Sequence, residues 1–117
     1  MKRASEHGLG DLLERFHVVE PIGYRAFLAL EAEAALIVSD SGGVQEEASI
    51  VKTPVVVVRN STERPEVIGT FADRVAPDAL AETANLLKNW DCHNIDTPYG
   101  DGSASRRSLE ALAERLA

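Results

Sequence analysis

The amino-acid sequence predicts an α/β fold in which a Rossmann-like parallel sheet is flanked by helices. Two observations indicate this class. Apolar runs of strand length, rich in valine and isoleucine, alternate with longer segments of helical periodicity. These runs also lack polar alternation, which is typical of strands covered on both faces, as in a parallel sheet. Because the connecting loops are short, the pattern favours one doubly wound domain over residues 1–117.

Four segments are expected to form the strands. The sequences ALIV at residues 35–38 and PVVVV at residues 54–58 are continuous apolar runs that suit a pleated, buried surface. A further strand is predicted for HVV at residues 17–19, where Glu20 and Pro21 end it, and another for RVA at residues 74–76. In such sheets ligands bind beyond the carboxyl ends of the strands, so the loops that follow them are the candidate sites.

The helical candidates lie between and around these strands. Residues 4–16 place three leucines and Phe16 on one face, although Gly8 and Gly10 oppose helix formation. Pro77 suits the first turn of another helix. Beyond the segment at residues 4–16, helices are predicted at residues 24–32, 43–50, 78–87 and 104–116, with an irregular stretch at residues 89–102.

The composition excludes several classes of function. The chain has 117 residues and a net charge of −7, which opposes general nucleic-acid binding because that requires clustered lysine and arginine. A single cysteine, Cys92, rules out an internal disulfide, and the three histidines are too scattered for metal-ligand spacing. There is neither an apolar run of membrane length nor the apolar region of a signal peptide, so we expect a cytoplasmic protein.

The first candidate site directly follows the strand at residues 35–38. The segment DSGGVQEE opens a helix with Gly42 and Gly43, which let backbone N–H groups approach an anion closely. A helix N-terminus supplies donors and a dipole that favours phosphate, and Ser41 adds a hydroxyl donor. The alternative is an ordinary N-cap, formed by Asp40 or Ser41 ahead of a glycine turn.

Two glutamates continue this helix. Either Glu46 or Glu47 could accept hydrogen bonds from two adjacent sugar hydroxyls. Consecutive helical residues lie about 100° apart, so the two carboxylates need not face one site. The alternative is a solvated helix face, which is the more common role of paired glutamates.

The second candidate begins where the predicted strand at residues 54–58 ends. The segment RNSTERPE leads into a helix start, with Thr62 suited to the N-cap and Pro65 to the first turn. Arg64 could contact phosphate oxygens through its forked donors, or it could pair with Glu63 or another carboxylate. Two helix N-termini beside neighbouring strand ends favour a shared anion site.

Two further segments could take part in binding or catalysis. Ile22 and Phe27 could form a flat apolar pocket for a base ring, although phenylalanine is more often a core residue. The turn-rich segment PYGDG precedes the last helix, which Asp101 is predicted to cap. Cys92 and His93 are adjacent, which gives no nucleophile–base geometry, so no catalytic residue is assigned in this chain.

In this order and spacing, SDSGGVQEE, RNSTERPE and PYGDG closely resemble the C-terminal part of the non-hydrolysing UDP-N-acetylglucosamine 2-epimerases. The resemblance runs from about Leu12 to the end of the chain. Members of this family have two Rossmann-like domains that face each other across a cleft, the GT-B arrangement. The resemblance implies that this chain is most of the C-terminal, UDP-binding domain, and that no redox cofactor and no metal are required.

The resemblance also implies roles for the matching residues. Ser41, Gly42 and Gly43 would hold the diphosphate, and Arg64 would lie near the phosphates. These are the residues that the chemistry of the helix N-terminus and of the guanidinium group already favours for an anion.

The resemblance also implies that the nucleoside lies next to the diphosphate. Glu47 would bind the ribose hydroxyls, Phe27 would lie against the uracil, and Ile22 would contribute backbone contacts. The family reaction interconverts UDP-N-acetylglucosamine and UDP-N-acetylmannosamine by elimination and re-addition of UDP. Its acid/base carboxylates come from the N-terminal domain.

The sequence lacks that N-terminal domain, so catalysis by this chain alone is not expected. We expect it to bind UDP or a UDP-N-acetylhexosamine weakly, and to pair with an N-terminal epimerase half or with itself. The alternatives are a stand-alone UDP-binding or interaction module, an inactive remnant, and a glycosyltransferase donor domain. TERPE and PYGDG favour the epimerases, because the fold alone would not require these segments.

Overall fold

The computed structural model describes residues 2–116 and contains a three-stranded parallel sheet. Strands β1 (Ile37–Ser39), β2 (Val55–Val57) and β3 (Ala72–Arg74) lie in the order β1-β2-β3. Each strand pairs with its neighbour over all three residues. The predicted α/β class, a parallel Rossmann-like sheet flanked by helices, is confirmed.

The helices follow the predicted pattern closely from residue 24 onward. Short 3₁₀ turns at Pro65–Val67 and Pro77–Ala79 precede β3 and the fifth helix. The predicted helices at residues 24–32, 43–50, 78–87 and 104–116 are confirmed to within two residues. The α-helices are α1 (Lys2–Glu6), α2 (Gly10–Leu13), α3 (Tyr24–Glu33), α4 (Gly42–Val51), α5 (Leu80–Leu87) and α6 (Ala104–Leu116).

Strand β2 is the centre of the core, because all three of its valines have no exposed surface. Val55 and Val57 share one face of the sheet and pack with Ala48 of α4. Val56 points to the opposite face, as alternation along a strand requires, and packs with Leu87 of α5. Each buried valine stabilises the fold by about 1.5–3 kcal/mol, so α4 and α5 are held on opposite faces.

Two predicted elements at the start of the chain are wrong. The single helix expected at residues 4–16 is two short helices, because Gly8 adopts a left-handed φ of +68° and ends α1. Residues 17–19 form no strand, since no neighbouring strand among the described residues pairs with their backbone groups. The strand predicted at residues 74–76 begins two residues earlier, as β3.

Helix α6 contributes no buried residue to the core. Its three leucines, Leu109, Leu112 and Leu116, are exposed, although they recur at helical spacing. The molecule measures 64 × 29 × 27 Å and is therefore elongated. None of the helices between residues 2 and 116 combines the length and the apolar character needed to cross a membrane.

Candidate functional site

The first candidate loop follows β1 directly and leads into α4. Ser41 is the N-cap, and its Oγ accepts a hydrogen bond from the Val44 N–H at 3.5 Å. The Ser41 N–H in turn donates to Ser39 Oγ at 3.1 Å, which fixes the turn between strand and helix. Of the two predicted capping residues, Ser41 therefore takes the role, and Asp40 is exposed.

The two glycines that open α4 are not required by the backbone. Neither has a left-handed φ. A Cβ at Gly42 would lie 3.6 Å from the Glu63 carboxyl group, and one at Gly43 would lie 3.8 Å from Ser41 Oγ. Both are ordinary contacts, so alanine would fit at either position. Without a side chain at either position, an anion can approach the N–H groups of this helix N-terminus closely.

Direct side-chain bonds join the second candidate loop to α4. The buried Gln45 donates from Nε2 to the Ser41 carbonyl at 3.1 Å and accepts at Oε1 from Thr62 Oγ1 at 2.7 Å. Arg64 Nε donates to the carboxylate of Glu46, which directly follows Gln45 in α4. Thr62 Oγ1 also accepts from the Arg64 N–H at 3.0 Å, so Thr62 orders this loop rather than capping a long helix.

The charged side chains near the N-terminus of α4 are paired. Glu63 lies against the N-terminus of α4 and accepts from Arg59 Nη1 at 2.7 Å. A bond from its own backbone N–H, together with Arg59, lowers the pKa of Glu63. The hydrogen bond to Glu46 raises the pKa of Arg64, whose Nη1 also donates to the Glu63 carbonyl at 3.0 Å. Arg64 is thus held beside the α4 N-terminus, with its side chain one third exposed.

The PYGDG segment lies against the same helix. Thr97, just before it, shares a hydrogen bond of 2.8 Å with Ser49 of α4. Tyr99 packs against the core, and burial raises the pKa of its hydroxyl, which has no hydrogen-bond partner within residues 2–116. Asp101 does not cap α6. The Ser103 carbonyl accepts a hydrogen bond from the Arg107 N–H at 3.1 Å, which puts Ser103 at the N-cap position.

Asp101 instead stabilises the turn before α6. Its Oδ1 accepts from the Ser103 N–H at 3.0 Å and from Arg107 Nη2 at 3.2 Å. The bonds from Ser103 lower the pKa of Asp101. Asp101 therefore stabilises local structure two residues before Ser103, instead of capping α6.

The predicted nucleoside residues lie on the α3 side of α4. Phe27 is 36% exposed on α3, and Ile22 is exposed in the loop before it. Glu47 is half-buried and faces α3, where its charge raises the pKa of Tyr24. Glu46 and Glu47 thus face different elements, as their spacing on a helix predicts.

The structure brings Ser41, Gly42, Gly43 and Arg64 together at the carboxyl ends of β1 and β2. The sequence assigns no role to Gln45, and it assigns Thr62 an N-cap role instead of the bond to Gln45 that joins the two loops. The available signal was a polar residue, Gln45, four positions after the N-cap in a helix that must bury one face. Among the described residues there is no cluster of three or more histidine, cysteine or carboxylate side chains that could hold a metal ion.

Comparison with known proteins identifies the family of this chain. A family profile described as UDP-N-acetylglucosamine 2-epimerase matches residues 2–113. The UDP-N-acetylglucosamine 2-epimerase of Methanocaldococcus jannaschii is 38% identical over 121 residues, which cover 95% of this chain and 32% of that protein. The chain therefore spans about a third of the length of this relative.

Two solved structures of UDP-GlcNAc 2-epimerases are also similar to this chain over about a third of their length. The M. jannaschii UDP-GlcNAc 2-epimerase in complex with UDP-GlcNAc and UDP superimposes with a TM-score of 0.81 at 37% identity, covering 97% of this chain and 33% of that one. The Neisseria meningitidis UDP-GlcNAc 2-epimerase bound to UDP-GlcNAc gives a TM-score of 0.66 at 34% identity, covering 93% and 33%. With the family profile spanning nearly all of the sequence, these matches establish that the chain belongs to the UDP-N-acetylglucosamine 2-epimerase family.

Proposed function

We propose that residues 1–117 form the UDP-binding part of the C-terminal domain of an epimerase, with the diphosphate bound at the N-terminus of α4. The observation that carries this proposal is the pair of glycines behind the Ser41 cap, where neither backbone angles nor packing require glycine. Arg64, tied to the same helix through Glu46, supplies a cation next to these N–H groups.

In this proposal the phosphate oxygens accept hydrogen bonds from the N–H groups of Gly42 and Gly43 and from the Ser41 hydroxyl. The helix dipole adds to this attraction. The Glu63 carboxylate lies near the same end of α4 and opposes an incoming phosphate, and its pairing with Arg59 reduces that repulsion.

The nucleoside extends from this anion site toward α3. Glu47 accepts hydrogen bonds from the ribose hydroxyls, because it is the acidic residue of α4 that faces α3. Phe27 offers an exposed ring for the uracil, and Ile22 offers backbone groups in the loop before it. The exposure of both side chains supports a site that is open on this side.

The activity proposed for the whole protein is interconversion of UDP-N-acetylglucosamine and UDP-N-acetylmannosamine by elimination and re-addition of UDP. In this chain the carboxylates nearest the anion site, Glu46 and Glu63, are engaged by Arg64 and Arg59. We infer that the 117-residue chain binds UDP but does not epimerise a UDP-sugar, and that the acid/base groups belong to an N-terminal half. Turnover of a UDP-sugar by the purified chain would contradict this inference.

The experiment that tests the site is a titration of ¹⁵N-labelled protein with UDP, followed by NMR. Saturable shifts are expected at the amides of Gly42, Gly43, Glu47 and Arg64. Uridine is the matched control, because it lacks phosphate and should shift Glu47 without shifting the glycines. An absence of saturable shifts at millimolar UDP would overturn the proposal.

A further inference from the structure

The hydroxyl group of Tyr99 is buried and has no hydrogen-bond partner among the described residues. The Tyr99 side chain packs against the core cluster that contains Ala48 and Val67. Buried polar groups without a partner are rare in native proteins, because each one loses its bonds to water on folding and gains none in return. This hydroxyl is therefore a candidate for a bond that forms in another state of the protein.

A chain of three hydrogen bonds fixes Tyr99 against helix α4. Ser49 Oγ donates its single proton to the Glu46 carbonyl at 2.8 Å. In the 2.8 Å bond between Ser49 and Thr97, the donor is consequently Thr97 Oγ1. Thr97 Oγ1 in turn accepts from the Tyr99 N–H at 3.4 Å. The backbone of Tyr99 is thereby linked to the turn of α4 that carries Glu46.

Two carboxylates and one guanidinium group act on the Tyr99 hydroxyl. Burial, followed by the charges of Glu66 and Glu46, raises the pKa of Tyr99, whereas the charge of Arg64 lowers it. The pair formed by Glu46 and Arg64 is thus close enough to influence the hydroxyl electrostatically, as the chain of hydrogen bonds implies. Because its pKa is raised above 10.0, the hydroxyl keeps its proton at neutral pH and can donate it.

Of the two carboxylates, Glu46 is the one whose availability depends on Arg64. Glu66 is exposed and takes part in no ion pair within residues 2–116, yet it does not accept from the Tyr99 hydroxyl. Glu46, by contrast, is held by Arg64 Nε. The Glu46 side chain is 39% exposed, so it has room to turn when that cation is withdrawn.

We propose that Tyr99 is a positioning residue of the anion site, whose hydroxyl donates to Glu46 when Arg64 leaves that carboxylate to bind a phosphate group. The inference rests on the proposed function, because it assigns Arg64 to the phosphate. In the free chain Arg64 uses Nε for Glu46 and Nη1 for the Glu63 carbonyl, so donation to a phosphate competes with these bonds. The Tyr99 hydroxyl gives Glu46 a replacement donor and so lowers the cost of releasing Arg64.

Urea unfolding without nucleotide tests the link between Tyr99 and Glu46. Arg64→Ala removes the cation from Glu46 and so imitates the phosphate-bound state. In the otherwise wild-type chain, Tyr99→Phe should leave the urea midpoint unchanged or raise it, because the hydroxyl has no bond to lose. In the Arg64→Ala chain the same change should lower the midpoint, because there the hydroxyl donates to Glu46.

Two further substitutions identify the acceptor. In the Arg64→Ala chain, Glu46→Ala should abolish the effect of Tyr99→Phe. Glu66→Ala is the matched control, because it removes the other carboxylate that acts on the hydroxyl and should leave the effect in place. An equal loss from Tyr99→Phe with and without Arg64 would show a purely structural role, and no loss in either chain would show that the hydroxyl does not reach Glu46. Either result would overturn the proposal.

Isothermal titration calorimetry with UDP tests the consequence for binding. The Tyr99→Phe chain should bind UDP roughly tenfold or more weakly than the wild type while keeping its stability, as expected for losing a hydrogen bond to a charged group. An unchanged Kd would overturn the role of Tyr99 and leave the proposed function intact. A wild-type chain that binds no UDP would overturn the proposed function and this role together, even if the unfolding measurements show the bond between Tyr99 and Glu46.

Discussion

Replacing Gly43 by alanine should separate the stability of this protein from its affinity for UDP. Gly43 lies in the first turn of α4, its φ is not left-handed, and a Cβ there would meet only Ser41 Oγ, at 3.8 Å. Gly43→Ala should therefore stabilise the fold by about 0.4–1 kcal/mol, because alanine reduces the entropy of the unfolded chain. Urea unfolding measures this gain.

The same methyl group should weaken UDP binding. Cα–Cβ bonds tilt toward the N-terminus of a helix, so the added group lies beside the N–H groups proposed to hold the phosphate. Loss of one charge-assisted hydrogen bond costs about 1.5–3 kcal/mol, which is roughly a tenfold to hundredfold rise in Kd. Isothermal titration calorimetry measures the change.

Gly10→Ala is the matched control for both measurements. Gly10 begins α2, away from the candidate site, and a Cβ there would have no neighbour within 4 Å among the described residues. The control should raise stability and leave the Kd for UDP unchanged. If Gly43→Ala binds UDP as tightly as the wild type, the glycines do not serve the anion and the assignment of the site is wrong.

Three further variants test the remaining assignments. Ser41→Asp keeps an N-capping oxygen but adds a negative charge, so stability should stay within about 0.5 kcal/mol while UDP binding, measured by calorimetry, is lost. Gln45→Leu leaves the Thr62 hydroxyl without its 2.7 Å partner and should destabilise the fold by about 1–3 kcal/mol in urea unfolding. Burial raises the pKa of Glu31 above its ordinary 4.5, so the folded state retains the proton longer than the unfolded chain. Stability should therefore fall as pH rises from 4.5 through the raised pKa, and Glu31→Gln should remove that slope. An equal slope in both proteins would contradict this reasoning.

Much of the fold could be predicted because the local pattern and the tertiary structure agree. The four-valine run at residues 55–58 has no polar alternation, and three of its members form a strand that is buried on both faces. The strand predicted at residues 17–19 failed for a non-local reason. A strand is stable only beside a partner, and the sequence of the segment alone does not show whether one is available.

The candidate site was predictable to a similar degree. Ser41 and the two glycines lie together at a helix start, so their role as cap and open turn could be inferred locally. The partner of Arg64 could not be inferred from the sequence, because Glu46, Glu63 and Glu66 are all near it in sequence or in space. The structure selects Glu46, since Gln45 and Thr62 bring the second loop onto α4 in one register.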